Sequence, residues 1–181
     1  DELDAVTQGD LADRWFSDFL VRRARLMRFD PLARRTSSRR YTGATEAPYK
    51  FADAFALLVT SEASLAHLNA RLKAKGHGPV DIDRFRPNIV IDGVDAFEED
   101  YVSEARIGDA VIELVKPCVR CTVPSVDPAR GEQGFEPGDT LAAYRNDARA
   151  GGVTFGVNGI VASGAGSELR VGDEVELTLR F

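Results

Sequence analysis

The 181-residue chain has few of the residues on which several common enzyme and fold classes depend. Two cysteines are too few for a framework of disulfides, so the composition fits a reducing compartment. Two histidines leave little choice of general base for a Ser-His-Asp triad. No glycine-rich dinucleotide fingerprint follows a predicted strand, and the sequence contains no P-loop. Chemistry near neutral pH therefore has to come from carboxylates, cysteine or a bound cofactor.

Long apolar runs are also missing. The longest, residues 54–59, is far too short to cross a membrane, so we expect a soluble protein with no membrane partner. Hydrophobic residues make up 44% of the chain and charged residues 29%, as in ordinary globular proteins. This composition excludes disordered, collagen-like and coiled-coil proteins.

The charge balance is negative, but positive charge is concentrated in one segment. A net charge of −6 argues against a general nucleic-acid surface, so we expect no nucleic-acid partner. Residues 22–40 nevertheless contain eight arginines and a single acid, Asp30. Such a cluster fits phosphate groups or an acidic partner, and the alternative is a solvated basic face. Because the sequence begins at Asp1 and its only methionine is Met27, we expect a fragment or a processed product.

Hydrophobic periodicity predicts helices first and strands later. A helix is predicted over residues 10–21, capped by Asp10, and a second over residues 61–75, capped by Thr60 or Ser61. Strands are predicted at residues 25–29, 55–59, 89–91, 111–115, 119–123, 153–161 and 175–179. The expected class is α+β, with helices followed by a closed or nearly closed β-barrel.

The sharpest chemical feature is Pro117-Cys118-Val119-Arg120-Cys121. A zinc half-site would need two further ligands, and His67 and His77 lack the spacing of a ligand pair. A thioredoxin-like redox pair usually opens a helix, whereas β-type residues flank this motif. A third interpretation is a single thiolate ligand for a soft or high-valent metal, with Arg120 favouring the ionised thiol. The fourth is two inert buried thiols, which the spacing alone favours.

A second candidate is Arg84-Phe85-Arg86-Pro87-Asn88, which precedes a predicted buried strand. Because Pro87 fixes the backbone, Arg86 and Asn88 could point the same way. Arginine suits bidentate contacts with phosphate or with a pterin edge. The alternative is an internal ion pair of Arg86 with a nearby aspartate, Asp83 or Asp92.

Together these features form an ordered series that resembles a known family. The series comprises Asp53, Ser61-Glu62-Ala63-Ser64-Leu65, Leu68-Asn69, Arg84-Phe85-Arg86-Pro87-Asn88-Ile89-Val90, Glu99-Asp100, Ile107-Gly108-Asp109, Pro117-Cys118-Val119-Arg120-Cys121, Val126-Asp127-Pro128, Phe155-Gly156 and Val171-Gly172-Asp173. It is similar to the MOSC domain of the mitochondrial amidoxime-reducing component and its bacterial homologues. The resemblance is strong over residues 51–181 and looser over residues 1–50. It implies a MOSC-type β-barrel domain at 51–181 with a few flanking helices, on which a helical and loop segment, residues 1–50, packs.

The resemblance implies a molybdenum enzyme. The expected cofactor is the molybdenum cofactor, Mo-molybdopterin, in an oxidoreductase that does not depend on pyridoxal phosphate. The expected substrates are small N-hydroxylated compounds, namely amidoximes, hydroxylamines and N-hydroxylated bases. In the family the second motif cysteine coordinates molybdenum, so that role falls to Cys121, while Cys118 is not expected to ligate.

The resemblance also assigns the remaining site residues. Contacts with the cofactor fall to Arg86 and Asn88, and we expect Arg120 to join them. Asp53, which alone would be interpreted as a turn or capping residue, corresponds to the family aspartate near the metal. There it could orient the substrate or relay a proton, with burial favouring its protonated form.

Departures from the family pattern shape the expected partners. We expect the N-terminal β-barrel domain of the family to be missing here, and Ala54 and Phe55 replace the small hydroxylated residues expected after the aspartate. Bacterial members of the family often continue into an iron–sulfur ferredoxin domain; here we expect a separate electron-transfer protein, either ferredoxin-like, a flavoprotein or a b-type cytochrome, and the alternative is a chain that has been cut. The alternative function is a non-catalytic cofactor-binding or sulfur-carrier MOSC module, with Cys121 carrying the sulfur. The Ala/Arg-rich composition fits a bacterial cytoplasmic protein.

Overall fold

The computed structural model describes residues 4–180, so residues 1–3 and 181 of the two predicted segments lie outside it. The α-helices are α1 (Asp10–Leu20), α2 (Arg39–Thr42), α3 (Glu62–Ala74) and α4 (Gly138–Arg145). The strands are β1 (Ala5–Thr7), β2 (Met27–Phe29), β3 (Leu57–Ser61), β4 (Ile89–Ile91), β5 (Val102–Ile107), β6 (Ala110–Val119), β7 (Asn146–Asp147), β8 (Gly152–Ser163) and β9 (Val175–Leu179). Short 3₁₀ turns lie at Ile82–Phe85, Glu98–Tyr101 and Val123–Ser125.

Most strands belong to one seven-stranded sheet. Its order is β4-β3-β8-β6-β5-β9, and β7 pairs with β8 beside this path. The β3–β4 pair is parallel and the other pairs are antiparallel. The register between β6 and β8 shifts three times, and such irregularities bend a sheet. The α+β class is thus confirmed, with a curled half-barrel: across residues 4–180, no pairing joins β4 to β9.

A hydrophobic core that includes Phe85 lies between α3, α4 and the sheet. Leu68 and Leu72 of α3 are fully buried there, together with Leu141 of α4. Phe85 stacks on Phe155 of β8 with ring centroids 4.0 Å apart. Burying side chains of this size contributes about 1.5–3 kcal/mol each. The packing therefore fixes the position of Phe85, from which the chain continues into Arg86.

The two predicted helices are confirmed, with one difference in capping. Ser61 caps α3, because its hydroxyl accepts a hydrogen bond from the backbone N–H of Ser64 at 3.1 Å. Gly9, rather than the expected Asp10, caps α1 and makes no side-chain bond. The apolar residues of α1 share a face as expected, but Leu11 and Phe19 are exposed. No helix in the described part of the chain is both long and apolar enough to span a membrane.

One strand prediction is wrong and one strand of the sheet, β5, was not predicted, each for a physical reason. Strand β6 includes the strand predicted at 111–115 and ends at Val119. The separate strand predicted at 119–123 is therefore wrong, and a 3₁₀ turn containing Pro124 follows instead. Proline has no N–H to donate to a sheet. Strand β5 was not predicted, since Glu104, Ala105 and Arg106 have low strand propensity. It forms through pairing with β6 on one side and β9 on the other.

The N-terminal segment contacts the rest of the chain near residue 50. The Ser37 hydroxyl donates to the carbonyl of Ala54 at 2.7 Å. The rings of Tyr41 and Phe55 meet edge to face, with centroids 5.8 Å apart. The division into residues 1–50 and 51–181 stays a prediction.

Candidate functional site

A cleft of about 470 Å³ opens where the end of β6 meets the segment before β3 and the turn before β4. The residues that line it include all five for which the sequence predicted a role in the site: Asp53, Arg86, Asn88, Arg120 and Cys121. They come from three separated parts of the chain, and the fold places them around one opening. The cleft, referred to below as the thiol cleft, is therefore the candidate site.

Asn88 ties the turn before β4 to strand β3. Its side-chain Oδ1 accepts a hydrogen bond from the Leu58 N–H at 2.8 Å. Its own N–H donates to the Leu58 carbonyl at 2.9 Å. These bonds continue the β3–β4 pairing beyond its first register pair, Val59 and Ile89. With Oδ1 engaged, the amide Nδ2 is the part of Asn88 left to serve a ligand.

Arg86 adopts a left-handed backbone conformation, with φ 55° and ψ 48°, at the end of the 3₁₀ turn. A non-glycine residue in this region costs about 1–2 kcal/mol. The backbone N–H of Arg86 donates to the backbone carbonyl of Asp83 at 3.1 Å, and this bond closes the turn. The side chain is exposed on the cleft, and no ion pair with Asp83 or Asp92 forms within residues 4–180. The strained backbone thus presents the guanidinium to the opening.

Arg120 is held by the floor of the cleft. Its Nη2 donates to the Phe85 carbonyl at 2.8 Å, and its Nη1 donates to Cys118 Sγ at 3.1 Å. Its backbone N–H donates to Val153 of β8 at 2.8 Å. The remaining donor, Nε, is buried and has no partner in the part of the chain that the structure describes. An unpartnered buried N–H is costly, so a ligand that accepts from Nε would be favoured.

The two motif cysteines differ in their surroundings. Both are free thiols, with Cys121 exposed and Cys118 half-buried. The Arg120 guanidinium contacts Cys118, whereas the sequence interpretation had paired it with the ligating thiol. Cys121 follows the end of β6 and precedes the 3₁₀ turn at Val123–Ser125, so its thiol is open to a ligand in the cleft.

The described residues provide no ligand set for the zinc interpretation of the cysteine motif. No group of three or more His, Cys, Asp or Glu side chains suited to a metal occurs among residues 4–180. His67 instead accepts a hydrogen bond from Arg71 at 2.8 Å, and burial lowers its pKa. His77 lies 3.7 Å from Glu136. Any metal in the thiol cleft would therefore need further ligands from a cofactor or solvent.

Asp53 lies at the rim of the thiol cleft and is exposed. The expected burial of this carboxyl is therefore wrong. An exposed carboxyl group can accept hydrogen bonds from a ligand and orient it. Its position fits the second expected role, the orientation of a substrate, and that role stays a prediction.

The cleft is electropositive in a protein whose net charge is −6. Arg86, Arg120 and Lys116 face a single carboxylate, Asp53. Lys116 and Asn158 were missed by the sequence interpretation, although Asn158 Nδ2 donates to the Lys116 carbonyl at 3.2 Å. Lys116 lies two positions before Cys118, the spacing of one strand face, and extending the predicted strand would have revealed it.

Other motifs of the resemblance form a buried support behind α3. Glu99 is fully buried and accepts hydrogen bonds from the hydroxyls of Ser61 at 2.9 Å and Ser64 at 2.7 Å. Burial raises the pKa of Glu99, which the serine hydrogen bonds partly oppose. The neighbouring Asp100 pairs with Arg145 at 2.6 Å, while burial raises its pKa as well. None of these residues lines the thiol cleft, and their hydrogen bonds join the start of α3 to the 3₁₀ turn at Glu98–Tyr101.

A larger cavity of about 850 Å³ lies in the N-terminal segment. It takes in part of the arginine cluster, including Arg28 and Arg34, and shares Phe51 with the thiol cleft. Arg35 stacks on Tyr49 with its Cζ 4.3 Å from the ring centroid. This cavity contains no thiol and no amide donor of the predicted set, so the smaller cleft is the better candidate for chemistry.

The amino-acid sequence is similar to those of known proteins. A model of the MOSC domain matches residues 46–176. The chain is 40% identical over 141 residues to mitochondrial amidoxime-reducing component 1 of Mus musculus, covering 76% of this chain and 40% of that protein. It is 35% identical over 158 residues to the same component of Homo sapiens, covering 80% and 43%. It is 34% identical over 163 residues to the molybdenum cofactor sulfurase of Oryza sativa subsp. japonica, covering 82% and 19%.

The chain spans about two fifths of the length of the amidoxime-reducing relatives and about one fifth of the sulfurase. The matched region runs from the rim of the thiol cleft through the cysteine motif to β9. The resemblance expected from the ordered motifs is therefore confirmed. The chain belongs to the MOSC domain family.

Proposed function

We propose that this chain binds the molybdenum cofactor and forms the catalytic part of a reductase of N-hydroxylated compounds. The family and its relatives support a function related to the molybdenum cofactor. The observation that carries the proposal is the open thiol of Cys121 inside a cleft lined by three cations and two amides. Such a donor set suits a metal held on one side by sulfur and an anionic organic group on the other.

Cys121 would hold the metal. A thiolate is the protein ligand that soft and high-valent metals prefer, and Cys121 is the more exposed of the two thiols. Cys118 is half-buried and engaged by Arg120, so its part is to hold that guanidinium. The bound cofactor would supply two-electron redox chemistry at the metal.

The basic and amide groups would hold the organic part of the cofactor. Arg86 and Lys116 provide positive charges for phosphate oxygens. Arg120 offers its unpartnered Nε, and Asn88 offers its Nδ2. Because Phe85 and Leu58 fix these two side chains through backbone contacts, their donors are preorganised before any ligand binds.

Asp53 would orient the substrate. Its exposed carboxylate at the rim can accept a hydrogen bond from a substrate N–H or O–H and hold it near Cys121. Reduction of an amidoxime consumes two electrons and two protons and yields an amidine and water. The electrons would come from a separate ferredoxin-like protein, flavoprotein or b-type cytochrome.

The direct test is turnover by the metal-loaded chain. Benzamidoxime is supplied with a chemical reductant, and benzamidine formation is followed by chromatography and mass spectrometry. We expect the wild type to form benzamidine and Cys121→Ser to form none. Asp53→Asn should turn over more slowly while retaining its metal, because only the substrate contact changes. A fully loaded wild type that forms no benzamidine, or a Cys121→Ser variant with unchanged turnover, would overturn the proposal.

The second candidate function is a sulfur carrier without turnover of its own. It is favoured by the 34% identity to the molybdenum cofactor sulfurase of Oryza sativa subsp. japonica, a relative named for sulfur transfer to the cofactor. The exposed Cys121 thiolate would then take the outer sulfur of a donor protein's persulfide, releasing the donor's thiolate, and hold that sulfur as its own persulfide. Intact-protein mass spectrometry separates the two functions. A mass increase of one sulfur atom that is lost in Cys121→Ser, with no tightly bound molybdenum, would favour the carrier.

We also propose the domain division at residue 50 and a location in a bacterial cytoplasm. The family model begins at residue 46, close to the expected boundary. The two amidoxime-reducing relatives are mitochondrial by name, so location has to be tested in the native cell. Fractionation followed by immunodetection is the appropriate measurement.

A further inference from the structure

The cavity of about 850 Å³ in the N-terminal segment, referred to below as the basic cavity, is a separate site beside the thiol cleft. Among the residues that the structure describes, Phe51 alone lines both. Its volume lies within the range of small-molecule sites, about 300–1,000 Å³. The residues proposed above to hold the molybdenum cofactor do not line it. A ligand in the basic cavity would therefore add to the proposed function without replacing it.

Positive charge predominates in the lining of the basic cavity. Across residues 4–180, its charged lining residues are four cations and two acids, namely Arg28, Arg34, Arg35 and Lys50 against Asp30 and Glu46. The Oδ1 atom of Asp30 already accepts a hydrogen bond from the Leu32 N–H at 2.8 Å. Arg28, Arg34 and Lys50 are exposed, and none of them forms an ion pair within residues 4–180. The lining thus has an excess of positive charge that an anion could neutralise.

Backbone pairing joins two walls of the basic cavity. Thr36 and Pro48 form an antiparallel bridge, and the Tyr49 N–H donates to the Arg35 carbonyl at 3.0 Å. The Arg35 side chain is held as well, because its Nη1 donates to the Ala52 carbonyl at 3.2 Å and its guanidinium stacks on Tyr49. Hydrogen bonds within the described part of the chain use Nη1 alone, so Nε and Nη2 of Arg35 remain as donors for a ligand.

An aromatic surface adjoins these cations. Phe29 is buried, and its ring meets that of Phe51 edge to face with centroids 5.6 Å apart. Phe51 is 49% exposed although its side chain is large and apolar. A flat ring stacked on Phe51 would cover part of this exposed surface, and nucleic-acid bases stack on aromatic side chains in this way. The basic cavity therefore combines donors for an anion with a surface for a ring.

From this combination we propose that the basic cavity binds a nucleoside diphosphate. The phosphates would lie on Arg28, Arg34 and Lys50, since arginine forms paired hydrogen bonds with phosphate oxygens. The base would stack on Phe51. Inorganic phosphate would leave Phe51 uncovered, and an uncharged ring would leave the cations without an anion. The inference goes beyond the proposed function and does not depend on the molybdenum cofactor.

Binding can be measured by isothermal titration calorimetry with ADP as the probe. The full chain is produced without cofactor and titrated at physiological ionic strength, which screens unspecific attraction to a basic surface. Adenosine lacks the phosphates of ADP, and pyrophosphate lacks its base. We expect ADP to bind at one site per chain, and adenosine and pyrophosphate each to bind about tenfold more weakly or less. Absence of ADP binding, or equal affinity for ADP and pyrophosphate, would overturn the inference.

Variants test the two halves of the basic cavity. Arg34→Gln should weaken ADP binding by about tenfold. Its matched control is Arg39→Gln, which removes the same charge from an exposed arginine of the same segment outside the lining and should change the affinity by less than about twofold. Phe51→Leu keeps an apolar side chain but no ring, so it should weaken binding of ADP and leave that of pyrophosphate unchanged. Equal losses in Arg34→Gln and Arg39→Gln would indicate a solvated basic face and overturn the inference.

The thiol cleft supplies a control for the location of the ADP. Arg86 lines that cleft and not the basic cavity, so Arg86→Gln should leave ADP binding unchanged. A loss in this variant that equals the loss in Arg34→Gln would place ADP in the thiol cleft and overturn the inference. The proposed function fails separately: if ADP binding depends on Arg34 while the metal-loaded wild type forms no benzamidine, the nucleotide site stands and the reductase does not.

Discussion

Gly156 offers the sharpest test of how the sheet is built beneath the thiol cleft. This residue of β8 has φ +74°, and a Cβ placed on it would lie 2.7 Å from the Val59 carbonyl oxygen and 2.7 Å from Thr60 Cγ2. The close approach lets β8 pack directly against β3. Strand β3 contains Leu58, whose N–H donates a hydrogen bond to the side chain of Asn88. We therefore expect Gly156→Ala to destabilise the protein.

The magnitude can be divided into two contributions. The left-handed backbone costs an alanine about 1–2 kcal/mol, and the forced contact with backbone and methyl adds about 1–3 kcal/mol. The matched control is Gly166→Ala, which has φ +95° and open space around its Cβ position. It should lose only the backbone contribution, about 1–2 kcal/mol. The reduced entropy of the unfolded chain is common to both variants and cancels in their difference.

Urea unfolding at equilibrium measures both variants, with the midpoint and slope giving the free energy of unfolding. Gly156→Ala should be less stable than Gly166→Ala by about 1–3 kcal/mol. Equal losses in the two variants would refute the close-contact argument, because the contact is what distinguishes them.

Two further predictions concern the buried support and the cleft wall. Burial raises the pKa of Glu99 in the folded protein above its ordinary value of 4.5. As the pH rises, the carboxyl therefore ionises in the unfolded chain before it ionises in the folded protein. Between the two pKa values the free energy of unfolding of the wild type falls with rising pH. Glu99→Gln should lack this part of the decline, and parallel pH–stability curves in urea would contradict the assignment. Asn88→Asp keeps an acceptor for the Leu58 N–H but loses Nδ2, so it should stay folded while binding less molybdenum. Asn88→Ala should instead lose about 1–3 kcal/mol of stability, measured by the same unfolding assay. Equal metal retention by Asn88→Asp and wild type would argue that Asn88 serves the fold alone.

Short sequence motifs mark the residues that we propose for the site, and their roles stay predictions. Asp53, Arg86, Asn88, Arg120 and Cys121 lie far apart in the chain, and the structure places them around one cleft. That meeting depends on the parallel β3–β4 pair and on the antiparallel β6–β8 pair. Spacing along the chain contains no information on either pairing, so the resemblance supplied it.

Other features could not be predicted because tertiary contacts decide them. Strand β5 has weak intrinsic propensity and exists through its two neighbours. The guanidinium of Arg120 turns to Cys118 because Phe85 presents its carbonyl on that side. The exposure of Asp53 likewise depends on how the segment before β3 lies on the surface, which local sequence does not specify.

The central claim is that Cys121 anchors the molybdenum cofactor in the thiol cleft. The most direct measurement is molybdenum per protein by elemental analysis, for chains expressed in a host that makes the cofactor. The account predicts near-stoichiometric metal in the wild type, a large fall in Cys121→Ser and a smaller loss in Cys118→Ser, which keeps an acceptor for Arg120. Negligible metal in the wild type, or a metal content that Cys121→Ser leaves unchanged, would contradict it.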